Sequence, residues 1–366
     1  MAKGAGSTVP GGSRSRMVER IAVSDPARSR EIFLAAARKA GFQLAGVARA
    51  APVEDFPLYS QWIEDGLAGP LGYLTDHRAS LRADPRRLLP SARSVLCVGL
   101  LYHTPGPARH SFSRYAWGAG DYHDVVRALL QSVVDEMTER LGPFDYRVCV
   151  DTAPVLERSL ARQAGLGWIG RNTCLINQPL GSWFFLGEVL TSLEIPPDAP
   201  PPDRCGTCRR CIDACPTQAL VAGPDGRYRL DARRCISTWT IEQRGPLAPA
   251  ERTACGTLLF GCDICQEVCP WNRRAPFTAR PEFQPLHPDP DLAELAFLSP
   301  EEFRTRFRRT PVWRTRYAGL LRNAATAMGN SGDRSYLAAL RHLAAFPDDA
   351  VREHALWAIR RLEAAA

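Results

Sequence analysis

The alternation of polar and apolar positions changes period several times along the first half of the chain. "ARSREIFLAAARKAG" repeats its apolar residues at helical spacing and stops at glycine, and "FQLAGVARA" follows as a short strand. "SARSVLCVGLLYH" (91–103) is an apolar, β-rich run that predicts a buried strand. "YHDVVRALLQSVVDEMTERLG" returns to helical spacing, "YRVCVD" reads as a strand, and "VLERSLARQAGLG" as a helix ending at glycine. "SWFFLGEVLTSLEI" is a longer, mostly apolar strand. The Pro-rich "IPPDAPPPD" (195–203) then links to a cysteine-rich stretch. Beyond Trp271 prolines and arginines are frequent. Helical periodicity resumes in "YAGLLRNAATAMGNSG", "RSYLAALRHLAAF" and "DAVREHALWAIRRLEA".

The expected class is α+β in three folded regions. Residues 19–200 form an α/β domain, 201–275 a cysteine domain, and 276–366 a helical region patterned like stacked HEAT-type repeats. Residues 1–18 have no apolar core and are expected to be a disordered tail. Arg14 and Arg16 are separated by Ser15, so there is no twin-arginine pair, and the expected location is the cytoplasm. No apolar run approaches the ~20 residues of a membrane span. Twelve cysteines without an export signal argue for metal or redox chemistry over a disulfide scaffold. The net charge is +7, carried by arginines with only Lys3 and Lys39 beside them, which favours a polyanionic partner.

"CGTCRRCIDACP" supplies Cys205, Cys208, Cys211 and Cys215 in the C-x2-C-x2-C-x3-C-P spacing of bacterial ferredoxins, whose fourth thiolate serves the other cluster. A second run, "GCDICQEVCPWN", gives Cys262, Cys265 and Cys269 but has Leu259 where a fourth cysteine is due. Cys235 and Cys255 are the candidates for the missing ligand. Cys235 is preferred because it follows a hairpin-like stretch, "GRYRLDARR". The expected sets are Cys205, Cys208, Cys211 and Cys269 on one [4Fe-4S] cluster, and Cys215, Cys235, Cys262 and Cys265 on the other. Paired zinc sites are the alternative, less suited to a third cysteine and C-P. Cys97, Cys149 and Cys174 read as core residues.

Other motifs have two readings each. "GLGWIG" (165–170) fits G-x-G-x-x-G with Glu188 further on, but it follows a helix, so close backbone approach to a large flat ligand is the preferred reading. In "GDYHD", Asp121-x-His123 is part of a D-x-H-x-x-G cobalamin signature, with Val126 where glycine is due. A polar helix start is the simpler reading. Asp151 in "CVDTAPVLER" is either a helix cap or a carboxyl group facing a cleft, where an apolar wall would make it a proton donor. Arg304, Arg306, Arg308, Arg309, Arg314, Arg316 and Arg322, interleaved with Phe303, Phe307, Trp313 and Tyr317, form either a phosphate-contacting face or a solvated one.

The chain closely resembles the epoxyqueuosine reductase family from about residue 28 to its end. The carriers are "SRYAWGAGDYH", "VDTAPVLERSLARQAGLGWIGRNTCLI", "GSWFFLGEVL", the two cysteine runs and "RRCISTWTIEQRG". The resemblance implies a cobalamin domain like that of reductive dehalogenases, a two-cluster ferredoxin domain and a helical-repeat C-terminus. It implies corrinoid contacts at Arg82, Ser113, Asp151, Ser237 and Asp263, a tRNA contact at Arg244, and Asp151 as general acid. The expected partners are the anticodon stem-loop of tRNA carrying epoxyqueuosine and an external electron donor, with the protein a monomer. "WGAGDYH" is one residue longer than the usual pattern. The other readings are a corrinoid and iron–sulfur reductive dehalogenase and a ferredoxin-type electron carrier.

Overall fold

The computed structural model describes residues 25–107, 110–286 and 289–364, so the stretch read as a tail (1–18) lies outside the described residues. Strands β1 (Leu44–Arg49), β2 (Ser94–Leu101), β3 (Tyr146–Cys149) and β6 (Phe184–Thr191) form one sheet in the order β1-β2-β6-β3. Every pairing in it is antiparallel. The two-residue strands β4 (Trp168–Ile169) and β5 (Leu175–Ile176) make a separate hairpin, and β7 (Leu220–Ala222) and β8 (Tyr228–Leu230) another.

All eight residues of β2 are buried, which explains its unbroken apolar run. Successive side chains alternate between faces. Leu96, Val98 and Leu100 pack with Val126, Leu130 and Val133 of the helix Tyr122–Leu141 and with Phe33 of the helix Pro26–Ala40. Val95 and Cys97 face the other way, onto Leu160 and Ala161 of the helix Glu157–Gln163. The first helix is capped by the Asp25 carboxylate and ends at Gly41, whose φ of 93° suits a left-handed C-cap.

The glycines of 165–170 approach the chain itself, correcting the flat-ligand reading. A Cβ on Gly167 would lie 2.3 Å from the Ile176 carbonyl oxygen. The motif closes the β4–β5 hairpin and opens no helix, so the dinucleotide reading also falls.

The C-terminal helices Tyr317–Ser331, Leu337–Leu343 and Asp349–Ala364 stand where the periodicity predicts. Their shared core contains Leu320, Met328, Leu340, Val351 and Ala358, and it also takes in Phe112, Trp117, Leu259 and Phe260. Phe112 and Phe260 are joined by a parallel bridge. One apolar core therefore crosses the sequence limits at 200 and 275. Among the described residues no helix is long and apolar enough to cross a membrane.

Candidate functional site

The cysteines fall into two neighbourhoods. Cys205 and Cys269 pack with Trp168, Ile176 and Trp271. Cys211 lies within electrostatic reach of Cys269, Cys205 and Cys208, and burial, then those sulfurs, push its thiol up to about 11. Cys262 similarly feels Cys235 and Cys215, and burial first of all pushes it up to about 12. Cys265 feels Cys262 and Cys235. The short helix Arg210–Ala214 carries Cys211 and ends at Cys215, and the β7–β8 hairpin leads to Cys235 at the cap of the helix Ile236–Ile241. Backbone N–H groups of Thr238 and Ser237 point at the Cys235 sulfur.

Cys255 is buried with Ile236, Trp239 and Leu247, and its charged neighbours are Arg322 and Glu251. Cys97 and Cys149 are core residues, as the sequence suggests. Cys174 departs from that reading. It hydrogen-bonds Cys265, placing a further sulfur against the second set.

The residues expected at the corrinoid lie outside the sheet: Arg82 on the turn Ala79–Ala83, Ser113 after β2, Asp151 after β3, and Ser237 and Asp263 beside Cys235 and Cys262. Arg82 is 5% exposed; its Nη2 donates to the Tyr73 carbonyl at 3.3 Å and its Nη1 has no partner. Asp263 accepts from the Arg114 N–H at 2.7 Å and also bonds Ser113; burial raises it to about 6. The Ser113 N–H donates to the Phe260 carbonyl at 2.8 Å. A Cβ at Gly261 would sit 2.1 Å from Ser113 Oγ, so glycine lets the Cys262 loop lie on that segment. Arg114 lies over Trp117 and Trp183 at 4.6 and 5.6 Å, with its Nε unpartnered. Ser237 is half-buried two residues from Cys235.

Asp151 is not a helix cap. The helix begins at Glu157, with Leu156 at the cap position, and 151–155 are bends in the chain instead. Asp151 has φ 47°, in the left-handed region. Its N–H donates to the Glu157 carboxylate, and its Oδ2 meets His123 Nε2 at 2.9 Å. The other ring nitrogen, Nδ1, meets Asp121 Oδ1 at 2.5 Å. Asp121 also caps the helix Tyr122–Leu141 through the His123 N–H, so the polar-helix-start reading of "GDYHD" holds. Burial works against the imidazolium, but hydrogen bonds to Asp121 and Asp151 outweigh it and raise His123 to about 9. The expected apolar wall at Asp151 is thus replaced by a cation.

Two carboxyl groups that the sequence did not single out for this site lie beneath the loop. Burial, then the Asp151 charge, pushes Glu157 up to about 8. Glu188 is fully buried in β6, opposite Cys97 and Cys149 on the neighbouring strands, with both oxygens unpartnered. Burial pushes it well above the usual carboxylate range, because an unpaired buried charge is costly. A lone acid in the apolar run "FFLGEVL" was the available signal.

These shifts set a pH dependence. His123 rises from 6.5 to about 9 on folding, so its stabilisation is complete below its unfolded value and lost as pH climbs through about 9. Glu157 rises from 4.5 to about 8 and acts in the same direction over that lower window. The thermal midpoint should fall as pH is raised from about 6 to 9. His123→Gln should flatten the upper part of that decline. An unchanged slope in the variant would remove His123 from this account.

The arginine-rich segment divides. Arg322 is buried and donates to the carbonyls of Trp239, Gln243 and Gly245, so it belongs to no surface face. Phe303 and Phe307 are core residues, while Trp313 is 41% exposed. Arg304 pairs with Glu301 and Arg306 with Glu294. Among the described residues no carboxylate pairs with Arg308, Arg309 or Arg316, all exposed. Arg244 donates to the carbonyls of Ile241, Arg314 and Thr315.

Residues 204–272 match a family model described as a 4Fe-4S double cluster binding domain, and residues 82–152 match one described as "Epoxyqueuosine reductase QueG, DUF1730". The chain is 41% identical over 359 residues to the epoxyqueuosine reductase of Pseudomonas aeruginosa, covering 94% of this chain and 98% of that one. It is 42% identical over 353 residues to that of Xanthomonas campestris, covering 93% and 98%. A crystal structure of epoxyqueuosine reductase with an epoxyqueuosine-modified tRNA-Tyr stem loop superposes with a TM-score of 0.82 at 31% identity, over 92% of this chain and 90% of that one. A Bacillus subtilis structure with its catalytic aspartate loop swung out of the active site gives 0.81 at 30% identity, with the same coverage.

Proposed function

The chain belongs to the epoxyqueuosine reductase family, and on that premise we propose that the two cysteine sets, a cleft bordered by Arg82 and Asp263, and the Asp151 loop form one reductive unit acting on tRNA. The protein is an oxidoreductase that converts epoxyqueuosine to queuosine. The overall change takes up two electrons and two protons, turning the epoxide into an alkene and releasing water.

Cys205, Cys208, Cys211 and Cys269 hold one [4Fe-4S] cluster, and Cys215, Cys235, Cys262 and Cys265 the other. The groupings of sulfurs in the fold support this division. We place cobalamin in this cleft, where the unpartnered N–H groups of Arg82 and Arg114 would suit its amide and phosphate arms, and where Ser113, Ser237 and Asp263 would offer further polar contacts. When bound there, it supplies cobalt-centred reducing power, fed electrons through the clusters from an external donor.

The observation that carries the reading is the Asp121–His123–Asp151 chain beside this cleft. His123 holds a proton at neutral pH between two carboxylates, and Asp151 presents it to the epoxide oxygen. Asp151 remains the proton donor, but with its proton supplied by the pair. Glu157 fixes the Asp151 backbone. The limits 19–200, 201–275 and 276–366 mark the cofactor, cluster and helical regions. The last is HEAT-like and, with Arg244 near the site, meets the anticodon stem-loop. We place the enzyme in the cytoplasm as a monomer.

Anaerobically reconstituted protein should turn over epoxyqueuosine in tRNA, read as queuosine by mass spectrometry of the digested nucleosides. Failure of fully loaded protein to do so would end the reading. Arg308→Ala with Arg309→Ala should raise the KM for tRNA and reduce the slope of log affinity against log salt by about two, one for each lost phosphate contact. An unchanged slope would show these arginines to be merely solvated.

A further inference from the structure

Three residues from distant parts of the chain meet within electrostatic reach of Asp151. Tyr73 lies on the short helix Gly72–Thr75, Glu242 just beyond the helix Ile236–Ile241, and Arg314 on the turn Pro311–Thr315. The Arg314 guanidinium carbon stands 4.7 Å from the centre of the Tyr73 ring, and its Nε donates to Glu242 Oε1. The other Glu242 oxygen has no hydrogen-bond partner among the described residues, although that side chain is only 16% exposed. Tyr73 is 39% exposed and the Arg314 side chain 43%, so both are reachable from solvent.

The backbone behind this group is built to hold it. Arg82 donates to the Tyr73 carbonyl, and Arg244 donates to the carbonyls of Arg314 at 2.9 Å and Thr315 at 3.1 Å. Arg316, the next residue, takes a φ of 64°, a conformation an arginine keeps only when its surroundings impose it. The Asp151 carboxylate lies within electrostatic reach of both Tyr73 and Arg314. The buried Tyr115 hydroxyl feels Asp151, Asp263, Glu242 and Arg314 together.

We infer that Tyr73, Arg314 and Glu242 form the subsite for the reacting nucleobase, with the base stacked on the Tyr73–Arg314 surface and an edge N–H donated to the free oxygen of Glu242. This rests on the function proposed above. A base flipped out of an RNA loop needs a π-surface and a hydrogen-bond partner for its edge. A guanidinium held flat by a carboxylate provides the first, and a half-buried, half-used carboxylate the second. Proximity to Asp151 makes the occupant the nucleotide that reacts, rather than RNA bound elsewhere.

The test uses the full chain loaded with iron, sulfide and cobalamin, and an anticodon stem-loop RNA bearing epoxyqueuosine. Tyr73→Ala and Arg314→Met should each weaken stem-loop binding by about 5- to 150-fold, the range for loss of one stacked base. Iron and cobalamin content should be unchanged. Tyr73→Phe should restore most of the loss, because the ring remains. Arg314→Lys should not, because an ammonium has no plane. The salt slope should stay at the wild-type value in all four variants. Wild-type binding by Tyr73→Ala and Arg314→Met, with wild-type turnover intact, would overturn the subsite and leave the enzyme assignment standing. A slope reduced by about one in Arg314→Met would also overturn it, by making that arginine a phosphate contact. Absence of turnover in the wild type would instead strike the proposed function.

Discussion

Asp151→Asn should fold, load both clusters and cobalamin, and bind tRNA, yet form queuosine at least ~100-fold more slowly, the lower end of what loss of a general acid costs. Asparagine keeps the shape and tolerates the left-handed φ of 47° that Asp151 adopts. Its backbone N–H still reaches Glu157. The loss is confined to the carboxylate that accepts from His123 Nε2. Asp151→Ala adds a backbone penalty of roughly 1–2 kcal/mol, so it should lower stability as well as rate. Because the helix starts at Glu157, no capping contribution confuses the comparison. Single-turnover rates with a loaded Asn variant decide the matter, and a near-normal rate would remove Asp151 as proton donor.

Cys235→Ala should cost the protein one cluster, leaving about four of eight irons, and should bring turnover to background because the electron path is cut. Cys255→Ala should keep all the iron. Its sulfur is packed in an apolar pocket with Trp239 and Leu247, so the change costs about 1 kcal/mol of stability and nothing in the spectrum. Iron and sulfide analysis of the two variants, purified without oxygen, separates them. Iron lost from the Cys255 variant and retained in the Cys235 variant would reverse the assignment.

The local elements were legible in the sequence because each has a period of its own. β2 is apolar at every position, and the helix Tyr122–Leu141 carries its buried residues on one stripe. The cysteine sets were legible because thiolate spacing reports cluster geometry directly. What was hidden depends on contacts between residues far apart in the chain. His123 and Asp151 are 28 residues apart, and nothing in either segment announces the hydrogen bond between them. Arg322 and Arg308 look alike in a basic stretch, yet one is buried under three carbonyls and the other is exposed. Glu188 was readable as an oddity in a strand, but its upward shift follows only from its depth.

The apolar core that joins Phe112 and Trp117 to the last three helices has a consequence for how the protein is made. During synthesis those two rings leave the ribosome well before their partners Leu340, Val351 and Ala358 exist. At ~5–20 residues per second the gap of some 200–250 residues lasts roughly 10–50 s. Through that interval their segment can pair with Phe260 and Asp263, but Phe112 and Trp117 lack the cover of the last helices. The apolar cover of Phe112 and Trp117 is therefore completed last, when the C-terminal helices arrive, and a chain truncated before residue 317 should leave an aggregation-prone apolar surface where these two rings are now covered.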